Sequence, residues 1–476
     1  MAVNKVEVNG ETKLDLTQDT VTPEDLLSGV TAHNAAGNQI VGKYQSVTLT
    51  GLEITAPPEK TYYKPGDVFD PTGMVVTATF SNGEQLQPVN YQVAPAGPLT
   101  IETSQISISY TWGTVTKTAY QAISVVAVHI YGVQWDGAKT TRWTRTDDSA
   151  NFTDPQPAIN NGTGSSPFDN LMPWAGMVKE EDSVAGTLVK IPKYWYRWIR
   201  SGKTMKLQIA DSPVEGFYTS PAHADRGDGY GERDYVYVGR YHCASDYKSK
   251  TGKTPWVNVT RATARTQIHS LGTDIYQYDY AMFWTIRLLY LCEYSDWNSQ
   301  EMLGVGGSPS GRAFSMGLTD AMKYHTGTSA ASRGIRGCVQ YRYIEGLWDN
   351  AYDFVDGIRF SDASVYCIKN PSQFSDTANG TLVGTRTTSS GYISKWTSPT
   401  ASGFEYALFP NEVNGGQTTY ITDVCQNNSA GVLMCSGGDY DYNLGCGAFC
   451  MLASYGESSS NSSVGCRLQK LPNKAA

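Results

Sequence analysis

Long apolar runs are missing from this chain. No stretch approaches the roughly 20 residues that a bilayer-spanning helix needs. The opening Met1-Ala2-Val3-Asn4-Lys5-Val6-Glu7-Val8 also lacks the apolar centre of a secretory leader. The expectation is a protein made in the cytoplasm that neither enters a membrane nor uses the secretory route. Positive charge is scarce as well. The 37 Lys and Arg residues against 45 Asp and Glu leave a net charge of -8, the wrong balance for a nucleic-acid partner, which needs a basic patch or stripe. Histidine is rare: His33, His129, His223, His242, His269 and His325 stand singly, so no triad or histidine metal site can be argued.

The nine cysteines are an odd number and form no C-x-x-C pair. Cys243, Cys292, Cys338, Cys367 and Cys425 are scattered and read as small buried hydrophobes. Cys435, Cys446, Cys450 and Cys466 are clustered, but their spacing matches no common zinc motif and no histidine follows His325. No metal and no cofactor is expected.

What the chain has in quantity is glycine (47), tyrosine (31) and tryptophan (11), the composition of a strand-rich, loop-rich protein with aromatic surfaces. A chain of 476 residues is too long for one core, and roughly two to four domains are expected. Residues 1–45 are short, polar and turn-rich. Thr22-Pro23-Glu24-Asp25-Leu26-Leu27 reads as a capped helix of barely two turns stopped by Gly29, and residues 31–42 read as a tight hairpin. So small a unit cannot bury a core alone and is expected to lean on copies of itself or on a larger assembly.

Residues 46–127 alternate apolar and polar side chains, as in Val75-Val76-Thr77-Ala78-Thr79-Phe80 and Ile106-Ser107-Ile108-Ser109-Tyr110, with a turn at Ser81-Asn82-Gly83-Glu84. This predicts an all-β sandwich. From about residue 128 to 476 the texture changes. Strands are expected at 187–191, 194–199 and 204–209. One helix is expected from a cap at Thr260 to Ser270, and another from a cap at Asp279 to about Tyr294, with Phe283, Ile286, Leu289 and Tyr290 on one face. The remainder reads as short strands and long loops, giving an α+β expectation for this part.

The tail is the most informative segment. Between Ser436 and Cys466 there is no Lys, Gln or Trp, one Met (Met451) and one Glu (Glu457), while Tyr, Ser, Gly, Asp and Asn crowd together. Recognition loops favour such residues: tyrosine gives rigid contact area at low entropic cost, and small polar residues give adaptable hydrogen bonds. Tyr440, Tyr442, Phe449 and Tyr455 are expected to supply aromatic contacts. Asp439, Asp441, Asn443, Ser454, Ser458, Ser459, Ser460 and Asn461 are expected to supply polar ones, with Cys446 and Cys450 also on the variable surface.

Other motifs carry less. Arg226-Gly227-Asp228 spells an integrin-type tripeptide but lies in a glycine-rich turn, where chance explains it. Asp225, Asp228, Glu232 and Asp234 could hold calcium but lack the spacing of a calcium loop. Gly304 to Gly311 follows a helix and precedes no Lys-Ser pair, unlike a phosphate loop.

Several of these segments resemble known families. Residues 63–74 (Tyr63-Lys64-Pro65-Gly66-Asp67 through Gly73-Met74) and the Phe80-Ser81-Asn82-Gly83 turn resemble bacterial Ig-like domains, which implies a spacer or adhesion module. Gly346-Leu347-Trp348-Asp349-Asn350-Ala351-Tyr352-Asp353-Phe354-Val355-Asp356-Gly357 resembles the G-N-V-W-E-W-V signature of the formylglycine-generating-enzyme family, departing by the Asn350-Ala351 stretch and by Tyr352 and Phe354. Ser436-Gly437-Gly438 with Val464-Gly465-Cys466-Arg467-Leu468 resembles that family's R-G-G-S-W and G-F-R-L ending, with Asp439 and Cys466 as departures. The resemblance implies a C-type-lectin-like fold over residues 128–476.

The same ending resembles the target proteins of diversity-generating retroelements, the tropism determinants of bacteriophages among them. In those proteins adenines of asparagine codons are randomised, which yields Tyr, Asp, Ser, Gly, Cys, Phe or Leu but never Lys, Glu, Gln, Met or Trp. The variable region would then span about 437–466, with contacts through 437–463. Residues 10–37 (Gly10-Glu11-Thr12-Lys13-Leu14 to Gly37) resemble the head of phage tail-tip proteins, which implies docking on a tail or baseplate protein and a homotrimer. Together these resemblances imply a virion-borne receptor-binding protein for a bacterial surface protein or glycan, and no enzyme. The alternatives are an oxidase of the formylglycine-generating type, needing a close reactive pair from Cys446/Cys450 or Cys435/Cys466, and a bacterial surface adhesin.

Overall fold

A computed structural model describes residues 2–308, 310–428, 431–441 and 444–473. The chain is mostly β, and it divides into two compact units, Met1–Ala127 and Val128–Ala476. Among the described residues no helix is long and apolar enough to cross a membrane.

The first unit begins with two small hairpins, Lys5–Val8 with Glu11–Asp15 and Thr31–His33 with Gln39–Val41. The two-turn helix expected after Thr22 is instead one 3-10 turn, Pro23–Asp25. The Asp25 carboxylate accepts the Thr22 N–H and hydroxyl, so the start signal is real. The chain then extends at Leu26, because its backbone bonds go to Tyr44 instead: the Tyr44 N–H donates to the Leu26 carbonyl and the Ser28 N–H to the Tyr44 carbonyl. Val6, Val8, Leu14, Leu27 and Val41 remain exposed, as expected for a segment too small to enclose a core.

Residues 49–125 follow the alternating pattern. Leu49–Ala56 pairs with Val75–Phe80 in one three-stranded sheet, and Gln105–Trp112 is the central strand of another, between Val115–Ala122 and Gln92–Ala94. Ile106, Ile108 and Tyr110 point inward with Leu52, Val76, Ala78 and Phe80 to form one apolar core, while the intervening serines lie nearer water. Gly83 closes the turn at φ +85°, a conformation that suits glycine.

The regular elements of the second unit are mostly strands as well, and among the described residues it has two helices longer than one turn, both at the expected places. Its largest sheet has eight strands, with Tyr352–Ser361, Leu433–Ser436, Met451–Tyr455 and Val424–Asn427 adjacent in that order. The strand Leu468–Lys470 lies in a second sheet between Tyr235–Gly239 and Ile275–Gln277. Helix α1 (Arg261–His269) is capped by the Thr260 hydroxyl, which accepts the Thr263 N–H. Helix α2 (Tyr280–Tyr294) is capped by the Asp279 carboxylate, which accepts the Met282 N–H at 2.8 Å. It was expected to bury one face, yet all fifteen of its residues are buried, as in a helix enclosed on every side. Its two charged side chains are therefore partnered internally. Glu293 pairs with Arg342 at 2.6 Å, and the Arg287 Nε donates to the Ala448 carbonyl at 2.8 Å.

Candidate functional site

The tail leaves the eight-stranded sheet at Ser436, returns along Met451–Tyr455, leaves again and re-enters at Val464–Gly465. Gly437, at φ +84°, starts the first loop where a β-carbon would come within 2.5 Å of the Leu347 carbonyl oxygen. Only glycine lets the loop pass this close to the Leu347–Trp348 backbone.

The base of this loop is held from below by buried polar side chains. The Ser299 hydroxyl, in the short helix α3 (Ser299–Met302), accepts the Ala448 N–H at 2.8 Å, and the Gln300 amide donates to the Cys446 carbonyl at 2.7 Å. Arg287 takes the Ala448 carbonyl, and the Asp423 carboxylate accepts the Phe449 N–H at 2.7 Å. Burial pushes the Asp423 carboxyl up to about 7, against the opposing pull of the Phe449 and Gly447 N–H groups. Gly447 is again required: a β-carbon there would stand 2.4 Å from the Ser299 hydroxyl.

Three residues expected on the contact surface are therefore interior. Phe449 is fully buried, with its ring edge-on to Trp297 and Tyr290 at centroid distances of 4.8 and 5.9 Å. Cys446 and Cys450 are buried with Cys435, Leu452 and Val464 in a small apolar cluster, their Sγ atoms 2.7 Å apart. The reason is that the backbone of the turn 446–450 is bonded to α3 and Arg287, which sends Phe449 onto Tyr290 of α2 and the two cysteines among the strand residues Tyr352, Leu433 and Leu452. The other pairing considered, Cys435 with Cys466, is not formed. Cys466 belongs to a different cluster with Cys243, whose N–H donates to the Cys466 carbonyl at 2.8 Å.

The remaining residues lie at or near the surface. Asp441 is exposed, and Asp439 and Tyr440 are half-buried. The Asp439 carboxylate accepts the Asp441 N–H, and Asp441 pairs with Arg336 at 3.0 Å. Tyr442 and Asn443 lie outside the described residues. Ser458, Ser460 and Asn461 are exposed, while Ser454, Tyr455 and Ser459 are half-buried. The Ser459 hydroxyl accepts the Gly456 N–H, and the Asn461 side-chain oxygen accepts the Ser463 N–H at 2.8 Å, so the second loop has internal turns rather than free chain. Met451 is buried in its strand, and Glu457 is tied to Arg359 at 3.1 Å.

Both loops are received by one stretch of backbone. The Tyr440 N–H donates to the Asn350 carbonyl at 3.1 Å, and the Tyr352 N–H donates to the Ser463 carbonyl at 2.9 Å. That stretch is the tryptophan-bearing signature segment, which is itself locked: the Trp348 indole donates to the Gly304 carbonyl, and the Asn350 amide brackets the Phe314 backbone. Asp353 of the same segment accepts from His242 at 2.8 Å and from Arg467 at 3.0 Å. Arg467 also donates to the carbonyls of Gly239, Arg240, Glu345 and Gly346.

Arg287, Ser299, Gln300 and Asp423 were not legible as site-supporting residues. Arg287 alone carried a signal, as a lone cation in the apolar run Phe283 to Leu291 that must find an internal acceptor. Arg226 of the Arg-Gly-Asp tripeptide is buried against Asp279, which takes its guanidinium out of the exposed loop. Asp228, Glu232 and Asp234 of the acidic loop each meet Arg233 or Lys193. Among the described residues no three His, Cys, Asp or Glu side chains gather as a metal-binding set.

No curated protein matches the chain. Residues 56–120, within the first unit, match the family model of the bacterial Ig-like domain (group 3).

Proposed function

We propose that this chain is a receptor-binding protein of a phage tail tip. In this reading the C-type-lectin-like unit 128–476 contacts a bacterial surface protein or glycan through the two loops of residues 437–463. The single observation that supports it is the division of labour within that segment. The two residues whose types could not arise from randomised asparagine codons are tied down, Met451 in the core and the half-exposed Glu457 by its ion pair with Arg359. The exposed or half-exposed positions Asp439, Tyr440, Asp441, Ser458, Ser460 and Asn461 are all of the permitted types. A rigid base beneath an adaptable polar and tyrosine surface is what a recognition site needs. The Ig-like module then serves as a spacer, and residues 1–45 dock on a tail or baseplate protein as a trimer. Three copies would raise a weak single-site affinity by avidity.

The test is a graft. Residues 439–444 and 458–463 are replaced by another sequence of the same types, with Cys446–Ala453 and Glu457 retained, and binding to a panel of bacterial strains is measured. Changed strain preference with an unchanged melting curve is expected. Unchanged preference would sink the proposal.

The oxidase alternative gains one observation, the close Cys446 and Cys450 thiols. Both are enclosed, and burial with the neighbouring thiol pushes Cys450 well above the usual thiol range, the opposite of an activated nucleophile. Incubation with copper and a cysteine-containing peptide, followed by mass spectrometry, separates the readings: aldehyde formation would favour the enzyme.

A further inference from the structure

A cavity of about 340 Å³ opens in the second unit beside the hairpin of strands Trp195–Ser201 and Thr204–Ala210. None of its lining residues belongs to 437–463. Its wall carries the half-exposed ring of Tyr420 and the buried Trp135 and Trp396, with Arg200, Lys203, Lys395 and Asn414 among its polar groups and Glu412 as a carboxylate.

Arg200 is half-buried in this wall. Arg226, Arg240, Arg261, Arg342 and Arg467 are buried and each meets a carboxylate, whereas the buried Arg287 is served by the Ala448 carbonyl. Arg200 meets no carboxylate among the described residues, and its Nη2 is cut off from water with no acceptor. Its guanidinium carbon stands 5.9 Å from the Trp198 ring centre, a weak substitute for an anion. Burial lowers its pKa to about 10, so the group still carries its charge at neutral pH. A guanidinium nitrogen cut off from water without an acceptor is costly. At the rim, Lys395 is neutralised by Glu412 at 3.0 Å, whereas Lys203 has no carboxylate partner among the described residues.

Tyr420 adds a second observation. It is held in the left-handed backbone region, φ 57°, which is uncommon for a non-glycine residue. Its N–H donates to the Lys139 carbonyl at 3.0 Å, and its ring stands edge-on to Trp135. Such strain persists where the surroundings fix it, and it collects at ligand sites.

We propose that this cavity is a second ligand site, for an anionic saccharide. Arg200 takes the carboxylate or phosphate, as the planar guanidinium does well. The aromatic wall takes the ring, while Asn414 and Lys203 take hydroxyls at the rim. The volume lies within the range of small-ligand pockets, roughly 300–1,000 Å³. The proposal does not depend on the tail loops as a recognition surface, since it shares no residue with them.

The test uses the full chain in calorimetric titrations with glucuronate, glucose 6-phosphate and glucose, which present one ring with a carboxylate, a phosphate or neither. At least one of the two anions is expected to bind with a Kd of about 1 mM or tighter, and the stronger of them identifies the ligand source. Arg200→Gln is expected to weaken that binding at least about tenfold, with R200K partly retaining it. Tyr420→Gly, which suits the backbone but removes the ring, is expected to weaken it too. Equal binding of glucose, unchanged affinity in R200Q, or no anion binding would overturn the proposal. Should R200Q fail to fold, the Arg200 side-chain N–H resonance of the wild type, identified by its absence in R200K, must shift on titration with the bound anion. An unmoved resonance overturns the proposal equally.

Discussion

The Asp423 carboxylate accepts the backbone N–H of Phe449 at 2.7 Å, fully enclosed beneath the first tail loop. One carboxyl group thus ties the turn 446–450 to the strand Val424–Asn427 that follows it in the sheet. The turn is held by this bond, by Ser299, by Gln300 and by Arg287, so the loop above it can change composition without losing its base.

This bond carries a pH signature. The folded-state pKa of Asp423 is about 7, against an ordinary 3.8. Between those values the folded chain holds a proton that the unfolded chain has released, so this group's contribution to stability falls as pH rises through the window. The slope is on the order of 1.4 kcal/mol per pH unit. Asp423→Asn keeps an acceptor for the Phe449 N–H and does not titrate. In urea denaturation at several pH values, the mutant is expected to gain on the wild type steadily from pH 5 to pH 7. A difference independent of pH would refute the assignment.

Phe449 separates scaffold from surface in the same segment. Its ring fills the space between Trp297 and Tyr290, so Phe449→Ala is expected to cost about 3–5 kcal/mol by cavity formation. Ser458→Ala and Ser460→Ala, at exposed positions, are expected to change stability by less than about 0.5 kcal/mol. Denaturant midpoints read both. A small loss in the phenylalanine mutant would return that residue to the surface.

The contrast shows where the sequence was readable. The caps Thr260 and Asp279, the Asn82-Gly83 turn and the alternation around Ile106 each carry a local signal, because a helix start, a tight turn and a half-buried strand are decided within a few residues. The orientation of Phe449, Cys446 and Cys450 is decided elsewhere, by Asp423, Ser299 and Arg287, which lie more than twenty residues away in the chain. In a run of Tyr, Ser, Gly and Cys, the same residue types serve inside and outside, so composition cannot sort them. The helix after Thr22 failed for a related reason: its start signal was local, but the Tyr44 backbone captured the bonds that a second turn would have used.

Arg467 and Asp353 join the two segments that carried the lectin-like resemblance, at 3.0 Å and fully buried. The guanidinium also serves four carbonyls, so its loss would orphan acceptors as well as a carboxylate. Arg467→Ala is expected to destabilise by roughly 3–5 kcal/mol. Arg467→Lys, with three donors in place of five, is expected to fall between the two. A lysine mutant as stable as the wild type would show that the charge alone matters, against the five-donor geometry described here.

The last expectation concerns the thiols. All nine cysteines are free and buried. Burial pushes Cys425 up to about 11, and the Cys435 and Cys450 thiols are raised as well. Reaction requires both access and thiolate, and the native chain offers neither. Ellman's reagent at pH 8 is therefore expected to label fewer than about one thiol per native chain in minutes, and all nine in denaturant. Rapid native labelling, mapped by peptide mass to Cys446 or Cys450, would mean that the turn over Asp423 opens in solution. In that case the loop base would be mobile, and the oxidase reading would regain an accessible thiol pair.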